Sequence, residues 1–147
     1  MLGLGNVLLD LEVSGSAQLF EVIGRHMERE YSMPRALVAE SLTRRELAGS
    51  TGLGEGVAIP HARVKDLERI HALYARLKSP IHFDAPDGKP VSDILVLLVP
   101  KQATEEHLII LAEATQMFSD RRFREHLHVC KDSLEVKGLF ITWSLAY

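Results

Sequence analysis

A histidine that follows a glycine-rich stretch is the residue best placed for chemistry in this sequence. Four glycines lie within positions 49–56, and they lead into the apolar run 57–59, Pro60 and His61. Proline fixes its own φ and favours an extended conformation at the residue before it, so the imidazole is attached to a rigid part of the backbone. We predict a strand over 57–59 that displays His61 at its end, where an imidazole is suited to phosphoryl or proton transfer.

The glycine-rich stretch itself fits neither common nucleotide-binding loop. A dinucleotide-binding loop has a strand before it and a helix after it, whereas the order predicted here is helix, loop and strand. A P-loop ends in Gly-Lys-Ser/Thr, which this stretch lacks. The sequence leaves two interpretations open, a structural turn or a loop whose amides cradle an anion. In the second case the hydroxyls of Ser50 and Thr51 are candidate phosphate-binding groups.

Two further residues have the chemistry to assist His61. His107 lies three residues after Thr104, the predicted N-cap of a helix, where free N–H groups attract an anion and favour a neutral imidazole. Arg45 lies at the end of an earlier predicted helix, and a guanidinium can form bidentate hydrogen bonds with a phosphate. Taken alone, a helix histidine is commonly just solvated and a terminal arginine commonly caps its helix, so the bland interpretations also stay open.

The remaining histidines and the single cysteine give no second site. His126, His128 and Cys130 would share one face if they lay on a strand, as a zinc site could require. We predict a helix there, on which their side chains diverge, so no metal site is expected. Cys130 is interpreted as a small buried hydrophobic residue. Core or surface roles are the default for His26, His71 and His82.

Two helices are predicted before His61. Ser14 or Ser16 can cap the first, and the second begins after Ser32 and Pro34 and ends near Arg45. Helical spacing predicts inward-facing Leu19, Phe20, Ile23 and Met27 in the first helix, and Leu37, Val38 and Leu42 in the second.

Strands and then helices are predicted after His61. Residues 71–78 alternate and predict a strand with one wetter face, while the continuous apolar run 93–100 predicts the central strand of a sheet. Helices are expected from Thr104, over 120–129 and over 133–141. This order indicates an α/β fold, a mixed β-sheet flanked by helices. The expected apolar face of the helix after Thr104 is Leu108, Ile109, Leu111, Ala112, Met117 and Phe118.

Composition limits the class of protein. A chain of 147 residues fits a single domain, 1–147. A net charge of −3 and no basic stripe argue against binding to nucleic acid. One cysteine excludes an intramolecular disulfide, and neither a signal peptide nor an apolar run of membrane-spanning length is present. We therefore expect a cytoplasmic protein that is not inserted in a membrane.

These features together resemble the enzyme IIA domains of the fructose/mannitol class of the bacterial phosphotransferase system, above all the stand-alone nitrogen-regulatory type. The stretch 44–61, from Arg44-Arg45-Glu46-Leu47 to Pro60-His61, looks like the family signature with its spacing intact. Residues 80–91, 97–100 and 106–108 look like its later blocks, whereas the tail 129–147 matches weakly. Ala62 and Arg63 stand where glycine followed by lysine or arginine is commoner.

The resemblance implies a phosphotransferase, one component of a phosphohistidine relay. It implies that His61 accepts a phosphoryl group from a histidine phosphocarrier protein, that His107 supports the phosphorylated histidine, and that Arg45 belongs to the same pocket. No metal or other cofactor is required. The implied role is nitrogen regulation of protein targets through the phosphorylation state. The alternatives are a sugar-specific enzyme IIA that passes phosphate to a transporter enzyme IIB, or a regulatory binding module that acts without phosphate.

Overall fold

A computed structural model describes residues 4–102 and 105–145. The elements are β1 (Asn6–Leu11), α1 (Ser16–Tyr31), α2 (Arg35–Ala48), β2 (Gly52–Gly54), β3 (Val57–Ala58), β4 (His61–Val64), β5 (His71–Ile81), β6 (Val91–Pro100), α3 (Glu105–Ser119), α4 (Arg121–Val129) and α5 (Ser133–Leu145). The strands form a mixed sheet in the order β1-β5-β6-β3-β2, with β4 also paired to β6, and helices pack on both faces. This confirms the predicted mixed sheet flanked by helices.

Strand β6 is the centre of the sheet. It pairs with β5 in the antiparallel direction on one side and with β3 and β4 in the parallel direction on the other. Residues 93–99 are all buried. A strand covered on both faces has no polar alternation, which is why its sequence is a continuous apolar run. The predicted central strand is confirmed, and it begins two residues earlier, at Val91.

Strands β3 and β4 follow one another along the same side of β6. Val57 pairs with Asp93 and His61 pairs with Leu97, so the register is unchanged across Pro60. Proline has no N–H for the ladder, but its carbonyl accepts a hydrogen bond from the Leu97 N–H at 3.0 Å. The predicted strand 57–59 therefore stops at residue 58, and His61 begins the next strand instead of ending the previous one.

The two faces of the sheet are buried by different helices. Helices α1 and α2 cover one face, and α3, α4 and α5 cover the other. In β5, Leu73 and Ala75 pack against the first group, while Ala72 and Tyr74 pack against the second. The predicted wetter face of this strand is wrong over its first half, because the C-terminal helices bury it.

Helix starts and faces differ from the sequence pattern in two places. Gly15 takes the N-cap position of α1 without a side-chain hydrogen bond, so the predicted cap at Ser14 or Ser16 is wrong. Helix α3 buries Met117 and Phe118 as predicted, but Ile110 and Ala114 face the core in place of Leu108 and Ile109, which are 66% and 64% exposed. The cap predicted at Thr104 lies outside the described residues. The buried residues of α3 are Ile110, Ala114, Met117 and Phe118.

Candidate functional site

One open cavity of about 380 Å³ lies where α2, β4 and α3 meet. The structure brings His61, His107 and Arg45 together on its wall. Arg45 and His107 are 62 positions apart in the sequence. Each of the three residues belongs to a different element, and β4, which supplies His61, lies between α2 and α3. The described residues that line the cavity are Ser41, Arg44 and Arg45 of α2, His61, Ala62 and Arg63 of β4, and His107 of α3.

The ring of His61 is fixed in one tautomer. Its Nδ1 lies 3.0 Å from the carbonyl oxygen of Ile59. A carbonyl oxygen only accepts hydrogen bonds, so Nδ1 carries the proton and Nε2 keeps a free lone pair. The Ile59–Pro60 segment that fixes the start of β4 therefore also orients the imidazole. The geometry makes Nε2 the nucleophilic atom of this ring.

Burial keeps His61 neutral. Desolvation of the half-buried ring lowers its pKa below the usual value, and the charge of Arg45 lowers it further. The hydrogen bond to Ile59 and the charge of Glu46 act in the opposite direction, but the net pKa shift is downward. A neutral imidazole at physiological pH can donate its Nε2 electron pair to an electrophile.

His107 faces His61 from the first turn of α3. The two ring centroids are 5.8 Å apart and the ring planes are 70° from parallel. Desolvation lowers the pKa of His107, and repulsion from His61 in its protonated form and from Arg63 lowers it further. Its Nε2 is buried and has no hydrogen-bond partner among the described residues. This ring nitrogen is therefore an unsatisfied polar group next to the ring of His61.

Arg45 combines a local bond with a position on the cavity wall. Its Nη1 donates a hydrogen bond of 2.8 Å to the carbonyl oxygen of Gly49, just beyond the end of α2. A guanidinium has several N–H donors in a planar fork, so this bond leaves others for the cavity. The bland interpretation of a helix cap and the interpretation of a pocket residue are both compatible with this geometry.

The cavity is strongly positive although the chain has a net charge of −3. Arg44, Arg45 and Arg63 line it, and no aspartate or glutamate is among the described lining residues. None of these arginines forms an ion pair with a residue in 4–102 or 105–145. Arg63 makes one long contact, 3.4 Å from Nη1 to the carbonyl oxygen of Lys101. Such a hollow favours an anion.

Arg44, Arg63 and Ser41 were not predicted as site residues, although their spacing in the sequence contains a signal for them. Arg63 lies two residues after His61 on one strand, so both side chains project to the same side. Ser41, Arg44 and Arg45 have the spacing of one helical face. Each pattern becomes informative only once the nucleophile and the helix that faces it are known.

The glycine-rich stretch forms a hairpin apart from the cavity. Strands β2 and β3 pair in the antiparallel direction, and the turn between them requires positive φ at Gly54, Glu55 and Gly56. The Glu55 N–H donates to Oδ2 of Asp87 at 2.8 Å. Of the two open interpretations, the structure shows the structural turn.

Ser50 and Thr51 use their hydroxyls to hold this hairpin. The Ser50 hydroxyl donates to the carbonyl oxygen of Phe83 at 2.6 Å, and the buried Thr51 hydroxyl donates to Oε1 of Glu46 at 2.6 Å. Neither residue lines the cavity of His61. The structure does not bring these predicted phosphate-binding residues to the site, because their hydroxyls already have partners elsewhere.

The other sequence candidates lie around α4. His126 and His128 are in the helix, and Nε2 of His128 is 3.3 Å from Oδ2 of the buried Asp93. Cys130 is buried, as expected. Among residues 4–102 and 105–145 no three His, Cys, Asp or Glu side chains are grouped as a metal site. In the same residues, every helix is too short or too polar to cross a membrane.

Comparison with known families gives one match that covers almost the whole chain. The family model described as "Phosphoenolpyruvate-dependent sugar phosphotransferase system, EIIA 2" matches residues 1–141. The match includes most of the tail after 129, where the sequence analysis found little likeness.

Curated relatives include proteins named nitrogen regulatory protein. The one from Pseudomonas aeruginosa is 36% identical over 124 residues, which is 84% of this chain and 80% of the relative. The one from Bradyrhizobium diazoefficiens is 34% identical over 127 residues, 86% of this chain and 83% of the relative.

Solved structures share the fold. The nitrogen regulatory protein IIA-Ntr from Neisseria meningitidis superposes with a TM-score of 0.85 at 46% identity, with 91% of each chain covered. IIA mannitol from Escherichia coli superposes with a TM-score of 0.77 at 19% identity, covering 94% of this chain and 99% of that one. The second likeness concerns the fold alone.

Proposed function

Because the chain belongs to the EIIA 2 family of the phosphoenolpyruvate-dependent sugar phosphotransferase system, we propose that His61 is the residue that carries its phosphoryl group. The chain is a phosphocarrier of this system, of the nitrogen-regulatory type. The observation that carries the assignment to His61 is its ring geometry. Nδ1 is held by Ile59, and the ring lines a cavity with three arginines.

The transfer is a displacement at phosphorus. The lone pair of Nε2 attacks in line, the new N–P bond forms, and the bond from phosphorus to the donor nitrogen breaks. The Ile59 carbonyl holds the Nδ1 proton throughout, so it steadies the ring as positive charge develops on it. The same contacts serve the reverse transfer, because forward and reverse steps share one transition state.

His107 supports the group on His61 instead of carrying it. Its first-turn position on α3 and its unpaired Nε2 suit it to hydrogen-bond an equatorial phosphoryl oxygen. Arg45 lines the same cavity, and its positive charge stabilises the negative charge on the phosphoryl oxygens during transfer. No step requires a metal ion.

The proposed donor is a histidine phosphocarrier protein. The cavity is open to solvent, so a histidine on the surface of a donor protein can approach His61. We assign the output to nitrogen regulation, because relatives that match 86% and 84% of this chain carry that name. Their shared name supports protein targets whose activity depends on the phosphorylation state of this chain.

A sugar-transport role is the second candidate. A protein from Haloferax volcanii named PTS system fructose-specific EIIA component is 34% identical over 93 residues, 63% of this chain. In that role the phosphoryl group would pass from His61 to an enzyme IIB. Transfer to a purified fructose or mannitol enzyme IIB at the rate of donor transfer would favour this candidate over regulation.

Labelling by the general phosphotransfer proteins tests the site directly. With phosphoenolpyruvate, enzyme I and the histidine phosphocarrier protein, we expect one phosphoryl group on the wild-type chain and none on His61→Ala. His107→Ala should still be labelled, but about tenfold to a hundredfold more slowly, because one phosphoryl contact is lost.

The matched control is His82→Ala, since His82 is exposed and paired with Asp84 away from the cavity. It should be labelled at the wild-type rate. Label that persists in His61→Ala would remove the assignment of the carrier residue. Unchanged rates in both directions for His107→Ala would remove its supporting role.

A further inference from the structure

The cavity of His61 is lined by more arginines than the single Arg45 that the carrier role requires. Three guanidinium groups line it without an ion-pair partner among the described residues, although carboxylates outnumber basic residues in the whole chain. Arg45 approaches from the end of α2, Arg44 from the same helix one position earlier, and Arg63 from β4 beyond the nucleophile. Unpaired arginines gathered on one hollow indicate a ligand with concentrated negative charge.

The charges are distributed around both histidines. The charge of Arg45 acts on His61, where that of Glu46 opposes it, and the charge of Arg63 acts on His107. An anion bound in the cavity at His61 therefore lies among guanidinium groups from α2 and β4 and near His107, whose Nε2 has no partner among the described residues. The chain supplies this positive environment alone, with no residue required from a donor protein.

The size of the cavity suits a small molecule. Its volume of about 380 Å³ falls within the roughly 300–1,000 Å³ that small-molecule sites occupy. One water has a share of about 30 Å³ in the liquid, so a phosphate compound with a few heavy atoms can enter while the ring of His61 stays in place. A protein donor would place only its own phosphorylated ring in this space.

We propose that the unphosphorylated chain binds small phosphate compounds in this cavity through Arg44, Arg63 and Arg45, and that an acyl phosphate bound there phosphorylates His61 without a protein donor. This activity rests on the proposed carrier role of His61, but it adds a substrate class and a second route into the same phosphorylated state. Free inorganic phosphate occupies the same cavity and competes with the acyl phosphate.

The step balances without a further reactant. The Nε2 lone pair forms the bond to phosphorus, and the bond from phosphorus to the acyl oxygen breaks with its electron pair on the leaving carboxylate. The ring keeps its Nδ1 proton, held by the Ile59 carbonyl, and is left as a phosphorylated imidazolium. A carboxylate is a good leaving group, so no general acid is needed, and the arginines stabilise the charge on the equatorial oxygens.

Acetyl phosphate is the probe for the activity and inorganic phosphate the probe for binding. We expect acetyl phosphate alone to add one phosphoryl group to the wild-type chain, measured by intact mass, and none to His61→Ala. Inorganic phosphate should slow this reaction competitively. It should also shift the ring NMR signals of His61 and His107 in a saturable titration.

The arginine variants connect the activity to the cavity. Arg63→Gln and Arg44→Gln should each weaken phosphate binding and slow labelling by about threefold to tenfold, since both side chains are exposed and partly screened by solvent. The matched control is Arg25→Gln, an exposed arginine of α1 outside the cavity, which should behave as wild type.

Two results would overturn the proposal while leaving the carrier role intact. One is labelling by the histidine phosphocarrier protein but none by acetyl phosphate. The other is labelling by acetyl phosphate that Arg63→Gln, Arg44→Gln and inorganic phosphate all leave unchanged. Failure of both donors to label His61 would instead contradict the proposed function itself.

Discussion

His61 is prepared for nucleophilic attack by two effects on different parts of the ring. Burial and Arg45 disfavour the charged form, and the Ile59 carbonyl selects the tautomer with a free Nε2. The sequence predicted the residue and its rigid attachment, because proline and histidine are adjacent in the chain. It left the reacting nitrogen open, because the Ile59 carbonyl becomes a partner only through the backbone path between β3 and β4.

The pH dependence of transfer follows from the lowered pKa of His61. Because the pKa of His61 lies below its ordinary value of 6.5, more than half of the ring is neutral at pH 6.5, so the rate into His61 should fall to half of its maximum only below pH 6.5. Single-turnover transfer from a prephosphorylated donor, at saturating donor, measures this profile.

The control for donor protonation is the same profile with a second acceptor whose histidine is exposed. An NMR titration of the His61 ring gives the pKa independently. A half-maximal rate or a ring midpoint above pH 6.5 would contradict the account, because it would mean that the positive cavity and burial do not govern this ring.

The positions of Arg44 and Arg63 in the site could not be predicted from the sequence. An arginine acquires a role in a site only when its element is oriented towards the nucleophile, and neither type nor spacing alone gives that orientation. Ser50 and Thr51, in contrast, were predicted as phosphate-binding residues but do not line the cavity. Their hydroxyls are close to His61 along the sequence, yet local partners already take both of them.

At the scale of elements, the hairpin β2–β3 is a support for the strand that leads to His61. Thr51 connects it to α2 through two hydrogen bonds to Glu46, from the backbone N–H at 2.9 Å and from the hydroxyl at 2.6 Å. These bonds fix the path of the chain between the helix with Arg45 and the strand with His61.

Thr51→Val separates this structural role from phosphate binding. Loss of the hydroxyl leaves an oxygen of the half-buried Glu46 carboxylate without its donor, so we expect the free energy of unfolding to fall by about 1–3 kcal/mol. Phosphoryl transfer should stay near the wild-type rate at a temperature where the variant is folded. Urea unfolding and the labelling assay measure the two quantities.

Thr43→Val is the control, because Thr43 is exposed on α2 and its change should cost about 0.5 kcal/mol or less. A Thr51→Val variant of normal stability that transfers slowly would support the phosphate-binding role that the sequence suggested. It would count against the structural role assigned here.

Helix α3 shows why element faces are harder to predict than element positions. Apolar residues occur almost all around its first turns, so two stripes are consistent with the sequence. Packing against the sheet selects the stripe with Ile110 and Ala114 and leaves Leu108 exposed. That choice also sets the direction in which His107 projects.

At the scale of the whole molecule, the site exists because the sheet brings distant segments together. Strands β3 and β4 both pair with the central strand β6 in the same register. This pairing places His61 at the sheet edge between α2 and α3. Composition and the order of elements were enough to predict a mixed sheet with helices. The meeting of α2, β4 and α3 was expected only through the family resemblance, because it depends on parallel pairing between segments far apart in the chain.

The most direct measurement of the central claim is the identity of the phosphorylated atom. The chain should be labelled with ¹⁵N in its histidine rings, phosphorylated by the protein donor, and examined for coupling between phosphorus and ring nitrogen. The account predicts phosphorus bonded to Nε2 of His61, with Nδ1 still protonated towards Ile59. Phosphorus on Nδ1 of His61, or on either nitrogen of His107, would contradict it.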